Sequence, residues 1–295
     1  MPYLYAHALH GLTAREQFPK AAYEITATHL DAFILGLYGP DVYFGDRLPP
    51  PLFAKHRKAL GNGLHHTPAR VLFGKLFSLA GPDDRAFSFA LGMLCHLSLD
   101  NTMHPYVESQ YRGNDHTRFE MRQDMIIRER SNHPMMALSP TELFCCDRAV
   151  RMADGLMTSL IFDLFSEKSC GVYARSYRKW QRVQALVFDP TGRKRKALEK
   201  LEKLLGKRKG KFSGLVLSRD VKDDQDRLFN LDHAPWQAPW APEEERQETY
   251  FELFDRAVAD AAKLVTAAMS EREYGIYDEV LALVGGRTMD GVHSA

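Results

Sequence analysis

One short stretch of the sequence places metal-ligand side chains four residues apart, at His96, Asp100 and His104. A helix turns once every 3.6 residues or so, and groups at this interval therefore stack along one face, about 6 Å apart. His116 and Glu120 repeat the interval soon afterwards. Two such helices packed together would surround one small volume with three imidazoles and two carboxylates. This mixture of nitrogen and oxygen ligands suits zinc, with iron or manganese as alternatives.

The histidines are unevenly distributed, and their bias supports an N-terminal metal or acid–base site. Nine of the 12 lie in the first 116 residues. Three further turns in this region carry potential ligands, namely His7, Asp41 and the adjacent pair His65 and His66. A single histidine near a helix end is more often a cap or a surface residue. The two four-residue ladders together with these turns favour a shared metal site.

Composition and charge exclude several classes of protein. A hydrophobic fraction of 45% with 26% charged residues is typical of a globular chain. No apolar run approaches the 18 or so residues of a membrane span, and the N-terminus lacks a secretion-signal pattern. The net charge of +1 gives no overall attraction to nucleic acid or anionic membranes. Four cysteines form no disulfide framework, so we expect a cytoplasmic protein with reduced thiols and no stable membrane anchor.

Helical periodicity recurs along the chain, with little of the two-residue alternation typical of strands. Pro105 is expected to end or kink the second predicted helix, and the capping box Ser139-Pro140-Thr141-Glu142 to begin a long helical stretch. The pattern predicts an all-α fold, as one domain over residues 1–295 with its metal site in 1–125. The predicted helices are about 67–80, 85–102, 116–130, 172–187, 195–208, 244–269 and 271–284, and the predicted loops are 38–55 and 229–242.

A basic segment interrupts the otherwise balanced charge at about residues 190–215. Ten lysines and arginines lie between Arg193 and Lys211, against Glu199 and Glu202. The simpler interpretation is a solvated surface insertion. The alternative is a patch for phospholipid headgroups or nucleic acid, although Phe212 is the one nearby aromatic residue for stacking on bases.

The order of the motifs along the chain is as informative as their content. They are Tyr5-Ala6-His7, Gly36-Leu37-Tyr38-Gly39-Pro40-Asp41, Leu64-His65 before Pro68-Ala69, Gly92-x-x-Cys95-His96-x-x-x-Asp100-x-x-x-His104-Pro105-Tyr106, His116-x-x-x-Glu120, Asn230-Leu231-Asp232-His233-Ala234-Pro235-Trp236 and Phe251-Glu252-Leu253-Phe254. This order resembles the zinc-dependent phospholipase C family, in particular its bacterial members without a signal sequence. The resemblance covers about residues 3–265, and the paired ladders are its most specific part.

The resemblance implies a single-domain helical bundle of the phospholipase C and single-strand nuclease type, with two or three zinc ions. It implies Asp41, His65, His96 and Asp100 at one ion, His104, His116 and Glu120 at a second, and His7 with a bridging Asp100 at a third. His65 rather than His66 falls at the family's spacing before Pro68. Asp41 occupies the position of a residue that orients or deprotonates the attacking water.

The sequence departs from the secreted members of the family at the third zinc site. Those members complete it with an N-terminal tryptophan, whereas this sequence starts at Met1 and has no tryptophan within reach of His7. The third ion is therefore the doubtful one. Tyr5 and His10 are alternative donors, and the sequence does not choose between them.

The resemblance and the ligand set predict a hydrolase that cleaves a phosphodiester or phosphate ester by means of a zinc-bound hydroxide. Two or three zinc ions would leave the site positively charged, as an anionic substrate requires. The expected substrate is a small-molecule or lipid phosphate ester; a nuclease of the same superfamily and a non-enzymatic metal-stabilised protein are the alternatives, with nucleic acid not favoured. The chain has no His-Asp dipeptide, which excludes a His-Asp phosphohydrolase.

Overall fold

The computed structural model describes residues 4–44, 54–110, 114–208, 210–218 and 225–292 and is mostly helical, as predicted. Four short 3-10 helices add to the α-helices, at Gly39–Phe44, Pro134–Ala137, Ser213–Leu215 and Arg272–Tyr274. The α-helices are α1 (Leu4–Arg15), α2 (Lys20–Thr28), α3 (Leu30–Tyr38), α4 (Ala54–His66), α5 (Ala69–Ala80), α6 (Asp84–Gln110), α7 (Asn114–Arg130), α8 (Pro140–Leu143), α9 (Asp147–Phe165), α10 (Val172–Val187), α11 (Arg193–Leu204), α12 (Gln225–Phe229), α13 (Tyr250–Glu271) and α14 (Asp278–Val284).

In the part of the chain that the structure describes, four short strands form two small ribbons. β1 (Phe188–Asp189) pairs in parallel with β2 (Leu217–Ser218), and β3 (Trp236–Ala238) pairs antiparallel with β4 (Ala241–Arg246). The first ribbon joins the two ends of the basic segment, and the second lies where residues 229–242 were predicted to form a loop. Because these strands are short, the helices determine the architecture.

Helix α6 is the centre of the packing. Residues from Ala86 to Val107 are buried around almost its whole circumference, which is typical of a helix inside the core. It contacts α1, α3, α5, α7, α9 and α13. Nearly all the potential ligands lie on α6 or on elements packed against it.

Two glycines set the close crossing of α3 and α6. A Cβ atom on Gly36 would lie 2.1 Å from the Phe89 carbonyl oxygen, and one on Gly92 would lie 2.2 Å from the Phe33 carbonyl oxygen. Neither helix could approach as closely with alanine at these positions, because each clash is with backbone. This crossing explains why both motifs that precede the predicted ligands contain glycine.

Several helix boundaries differ from the sequence prediction. Pro105 does not end α6, since Tyr106 and Val107 beyond it are fully buried and the helix continues to Gln110. A proline removes one backbone hydrogen bond from a helix. Packing of the residues on both sides of Pro105 outweighs that loss here.

The capping box at Ser139 is present, but the helix it begins is only four residues long. The Tyr177 hydroxyl accepts the Cys146 N–H at 2.9 Å and donates to the Phe144 carbonyl at 2.6 Å, which holds the break before α9. Residues 244–246 are in β4 rather than in a helix, and α13 instead starts after a second capping box, formed by Thr249 and Glu252.

No helix in the described residues combines the length and the apolar character needed to cross a bilayer. Residues 45–53 of the predicted loop 38–55, and Lys209 of the basic segment, lie outside the described ranges. Gly39–Phe44, at the start of that predicted loop, is a 3-10 helix. The prediction of one domain over 1–295 stays a prediction.

Candidate metal centre

The predicted ligands reach the centre of the molecule from five elements. His7 lies on α1, Asp41 in the 3-10 helix after α3, and His65 in the last turn of α4. α6 carries His96, Asp100 and His104, and α7 carries His116 and Glu120. The helical ladders predicted from the four-residue spacing are therefore present on α6 and α7.

Five of these side chains form one tight cluster around Asp100, which we call the Asp100 cluster: His7, Asp41, His65, His96 and Asp100. His7 Nε2 lies 3.2 Å from Asp100 Oδ1, and His96 Nε2 lies 3.1 Å from Asp100 Oδ2. His65 Nε2 is 3.2 Å from Asp41 Oδ1 and 3.7 Å from Asp100 Oδ2. The rings of His7 and His96 are stacked, with centroids 4.4 Å apart.

The spacing of these atoms fits a set of ligands around a cation. Two triads have ligand atoms that all lie within 4.8 Å of one another, His7 with Asp41 and His96, and His65 with His96 and Asp100. Two ligands of one tetrahedral zinc ion lie about 3.3 Å apart, given bonds of about 2.0–2.1 Å. The observed separations bracket that value.

Seven polar atoms of the Asp100 cluster are buried without hydrogen-bond partners. These atoms are both ring nitrogens of His7, Nε2 of His65 and of His96, Oδ1 of Asp41, and both carboxylate oxygens of Asp100. Leaving one buried polar group unsatisfied costs about 1–3 kcal/mol, and more for a charged group. Divalent cations in this space would take one ring nitrogen from each histidine together with the carboxylate oxygens, so the residues present fit the zinc ions that the resemblance implies.

Backbone carbonyl groups fix the orientation of the histidine rings. Nδ1 of His96 donates to the Leu37 carbonyl at 3.0 Å, and Nδ1 of His65 donates to the Gly61 carbonyl at 2.8 Å. Because a carbonyl can only accept, these bonds place a proton on Nδ1 and turn Nε2 towards the cluster. Metal-binding histidines are commonly held in this way.

The close crossing of α3 and α6 explains why these partners meet. It brings the Leu37 carbonyl against the His96 ring, and Gly39, with a φ of +39°, then turns the chain so that Asp41 follows. A Cβ atom on Gly39 would lie 3.6 Å from the His96 ring. The positive φ favours glycine at this turn.

His104, His116 and Glu120 form a second and more open group. The rings of His104 and His116 have centroids 6.2 Å apart, and His116 Nε2 lies 2.9 Å from Glu120 Oε1. Among the described residues, this group is not one of the triads whose ligand atoms all lie within 4.8 Å of one another. Its assignment to a second zinc ion stays a prediction.

Two partners of this second group were missed by the sequence analysis. Glu108 Oε1 lies 2.8 Å from His116 Nδ1, and the Met289 carbonyl accepts a hydrogen bond from His104 Nδ1 at 2.5 Å. Glu108 lies beyond Pro105, where the sequence analysis expected α6 to stop or kink. Met289 contributes only its backbone carbonyl group, and the contacts of a backbone group cannot be predicted from the type of residue.

Asp124 contacts the first turn of α1. Its carboxylate accepts hydrogen bonds from the N–H groups of Tyr5 at 2.9 Å and of Ala6 at 2.7 Å. Burial raises the pKa of this carboxyl group to about 8, and its two oxygens satisfy N–H groups of the first turn that have no partner within the helix. Asp124 therefore fixes the first turn of α1, two residues before His7.

The two adjacent histidines before Pro68 have different environments. His65 is buried in the Asp100 cluster, whereas the His66 side chain is 66% exposed, with Nε2 3.1 Å from Asp290 Oδ2. His10, one of the alternative donors, is fully buried against Phe254 and belongs to neither triad. The geometry therefore favours His65 over His66 as a ligand.

Charge coupling within the cluster is strong. Burial opposes protonation of His96, but the Asp100 carboxylate raises its pKa to about 9. Burial raises the pKa of Asp100, and the neighbouring histidines, His96 foremost, outweigh this and hold it well below its ordinary value. Burial and the nearby His96 lower the pKa of His7. Asp100 therefore stays ionised, and a cation that binds His96 Nε2 displaces the proton there.

The cluster is almost completely buried. The side chains of His7, His96 and Asp100 are wholly buried, whereas those of Asp41 and His65 are 8% and 5% exposed and that of His116 is 13% exposed. Asp41 and His65 are therefore the side chains of the cluster that a small molecule could contact.

Comparison with known proteins places this geometry in a family. Residues 4–176 match the family model described as zinc dependent phospholipase C. The match covers more than half of the 295 residues and includes every predicted metal ligand. No curated protein and no solved structure is significantly similar to the chain.

Proposed function

Because this chain belongs to the zinc-dependent phospholipase C family, we propose that it hydrolyses phosphodiester bonds in phospholipids or related small phosphate esters. The observation that carries the proposal is the Asp100 cluster, in which seven buried ring nitrogens and carboxylate oxygens have no hydrogen-bond partners. Membership of the family and this cluster together indicate a metal-dependent phosphoesterase. The identity of the substrate is the finer part of the proposal.

In this proposal, the buried residues of the cluster bind the metal ions. His7, His96 and Asp100 would hold zinc together with Asp41 and His65, and His104, His116 and Glu120 would hold a second ion. Zinc, when bound, supplies positive charge for a phosphate group and lowers the pKa of water. The carbonyl groups of Leu37 and Gly61 keep the His96 and His65 rings turned so that each Nε2 faces the cluster.

Asp41 has the catalytic role in the proposal. Its side chain is the most exposed in the cluster, at 8%, and its Oδ1 atom has no hydrogen-bond partner. From this position its carboxylate orients the attacking water and accepts its proton while the water oxygen attacks phosphorus. The P–O bond to the leaving alcohol then breaks, and that oxygen takes up a proton.

The test uses a chromogenic phosphodiester and a short-chain phosphatidylcholine. We expect turnover that a chelator abolishes and added zinc restores. Asp41→Asn should lower kcat by about 100-fold or more. Failure of the purified zinc-loaded protein to hydrolyse either substrate would contradict the proposal. If zinc then raised the melting temperature without any turnover, the metal would have a purely structural role.

A further inference from the structure

The end of α11 exposes leucines among lysines, and nothing in the proposed phosphoesterase chemistry uses them. We define the α11 tip as Lys200, Lys203, Leu204, Leu205 and Lys207, all of which are exposed. Leu204 is 82% exposed and Leu205 52% exposed. The tip also lies outside residues 4–176, which match the family.

The arrangement of the helix makes the tip a mixed basic and apolar surface. On a helix, Lys200, Lys203 and Leu204 lie within about 100° of arc, while Glu202 points to the opposite side. Glu202 is buried and accepts hydrogen bonds from the N–H groups of Gly210, Phe212 and Ser213 at 2.5–3.0 Å. The negative charge of Glu202 is therefore compensated by these N–H groups inside the segment, and it does not offset the positive charge of the exposed lysines.

The other acidic residues nearby are also engaged within the segment. Asp189 is buried and accepts the Arg195 N–H at 2.9 Å, and Glu199 pairs with the Arg195 side chain at 3.3 Å. The exposed face that remains is strongly cationic. Such a face attracts an anionic partner and repels a second copy of itself.

The segment is braced so that it presents the tip in a fixed position. β1 and β2 close its base, with Phe188 paired to Leu217 and Asp189 to Ser218. Lys194 Nζ donates to the carbonyls of Ala185, Leu186 and Phe188 at 2.9–3.1 Å, which ties the start of α11 to the end of α10. Hydrogen bonds to Glu202 fix the return of the chain after the tip.

We propose that the α11 tip docks on anionic phospholipid bilayers, with the leucines entering the headgroup boundary and the lysines contacting lipid phosphates. Charge complementarity identifies the sign of the partner, and the exposed leucines identify a surface that accepts apolar side chains. Single-stranded nucleic acid fits less well, because its recognition relies on stacking aromatics and the tip has none. The contact is a reversible electrostatic one and does not depend on the proposed catalysis.

The experiment is sedimentation of the full-length protein with vesicles of phosphatidylcholine, with and without phosphatidylserine, at low and high salt. We expect binding that requires phosphatidylserine and weakens at high salt. The triple variant Lys200→Glu, Lys203→Glu, Lys207→Glu should reduce partitioning by about 100-fold, at about fivefold or more for each lysine. The double variant Leu204→Ser, Leu205→Ser should reduce it by roughly tenfold.

A charge-matched control separates a local surface from overall charge. Lys20, Lys168 and Lys263 are exposed and lie far along the chain from the tip, so their triple change to Glu alters the net charge equally. This control should bind vesicles as the wild type does. The proposal is overturned if the wild type ignores phosphatidylserine, if the control loses as much binding as the tip variant, or if only an oligonucleotide is bound. Circular dichroism and hydrolysis of a soluble phosphodiester should be unchanged in the tip variants.

Discussion

The carbonyl oxygen of Met289 lies 2.5 Å from Nδ1 of His104, although the two residues are 185 positions apart in the chain. The same residue uses its N–H to bond the His65 carbonyl at 3.1 Å. One residue near the C-terminus therefore holds both a predicted ligand on α6 and the backbone of another on α4. Met289 lies outside the part of the chain that matches the family, whereas both of its partners lie inside it.

A substitution at Gly291 tests whether this link matters for metal binding. Gly291 has a φ of +78°, and a Cβ atom there would lie 3.1 Å from His104 Cβ and 3.0 Å from Pro105 Cδ. We expect Gly291→Ala to displace the segment and to lower zinc affinity by about 10–100-fold, as loss of a ligand's outer partner does. Gly275→Ala is the control, since Gly275 also has a positive φ but has open space around it. Equal zinc affinity in both variants, measured by competition with a chelating dye, would contradict the role of the link.

The adjacent histidines on α4 offer a second matched pair. His65→Ala removes a side chain that faces both Asp41 and Asp100, whereas His66→Ala removes one that is mostly exposed. We expect His65→Ala to lower zinc affinity by about 100-fold or more and His66→Ala to leave it unchanged. Isothermal titration of the metal-free proteins with zinc measures both. Loss of affinity in the His66 variant alone would reverse the assignment.

At the crossing of α3 and α6, we expect one added methyl group to lower the stability of the fold strongly. Gly92→Ala places a Cβ atom 2.2 Å from the Phe33 carbonyl oxygen, so the helices must separate. We expect the free energy of unfolding to fall by about 3 kcal/mol, at the upper end of overpacking costs. Gly155→Ala is the control on α9, where nothing lies within 4 Å, and it should be neutral or stabilising by up to about 1 kcal/mol. Denaturant unfolding of both variants checks the prediction, and a similar stability in the two would contradict it.

Because His10 is buried, we expect the stability of the fold to depend on pH. Burial lowers its pKa to about 4, against about 6.5 in an unfolded chain. The unfolded state therefore binds the proton more readily, so stability is complete above pH 6.5 and falls as the pH decreases towards 4. Between pH 7 and 5 this amounts to about 2 kcal/mol.

The measurement is denaturant unfolding at pH 7 and at pH 5, with a chelator present so that metal release does not contribute. His10→Met keeps a similar volume without a titrating group, and its stability should fall less over this interval than that of the wild type. Identical losses in the two proteins would show that His10 is protonated as readily in the folded state as in the unfolded state.

The ladder on α6 could be predicted from the sequence because four-residue spacing corresponds directly to one helix face. The continuation of α6 past Pro105 could not, since only burial of Tyr106 and Val107 compensates for the missing hydrogen bond. The start of α13 was present in the sequence as the capping box from Thr249 to Glu252. The acidic run before it was predicted as helix but forms a strand that pairs with β3.

The set of side chains in the candidate site was predicted, but the groups that orient them were not. The carbonyl partners of His96, His65 and His104 belong to backbone, whose position depends on how helices cross and where the C-terminal segment passes. Glu108 was hidden by the expected end of its helix. A sequence pattern therefore predicts which groups converge more readily than what holds them.

If the Asp100 cluster binds divalent metal, protein purified without added metal should contain it. Elemental analysis of the wild type should give two or three zinc ions per chain. His96→Ala removes a side chain shared by both triads, and this variant should lose zinc and turnover together while keeping its helical content. A wild-type protein without stoichiometric metal, or a His96→Ala variant that retains all of it, would contradict the account.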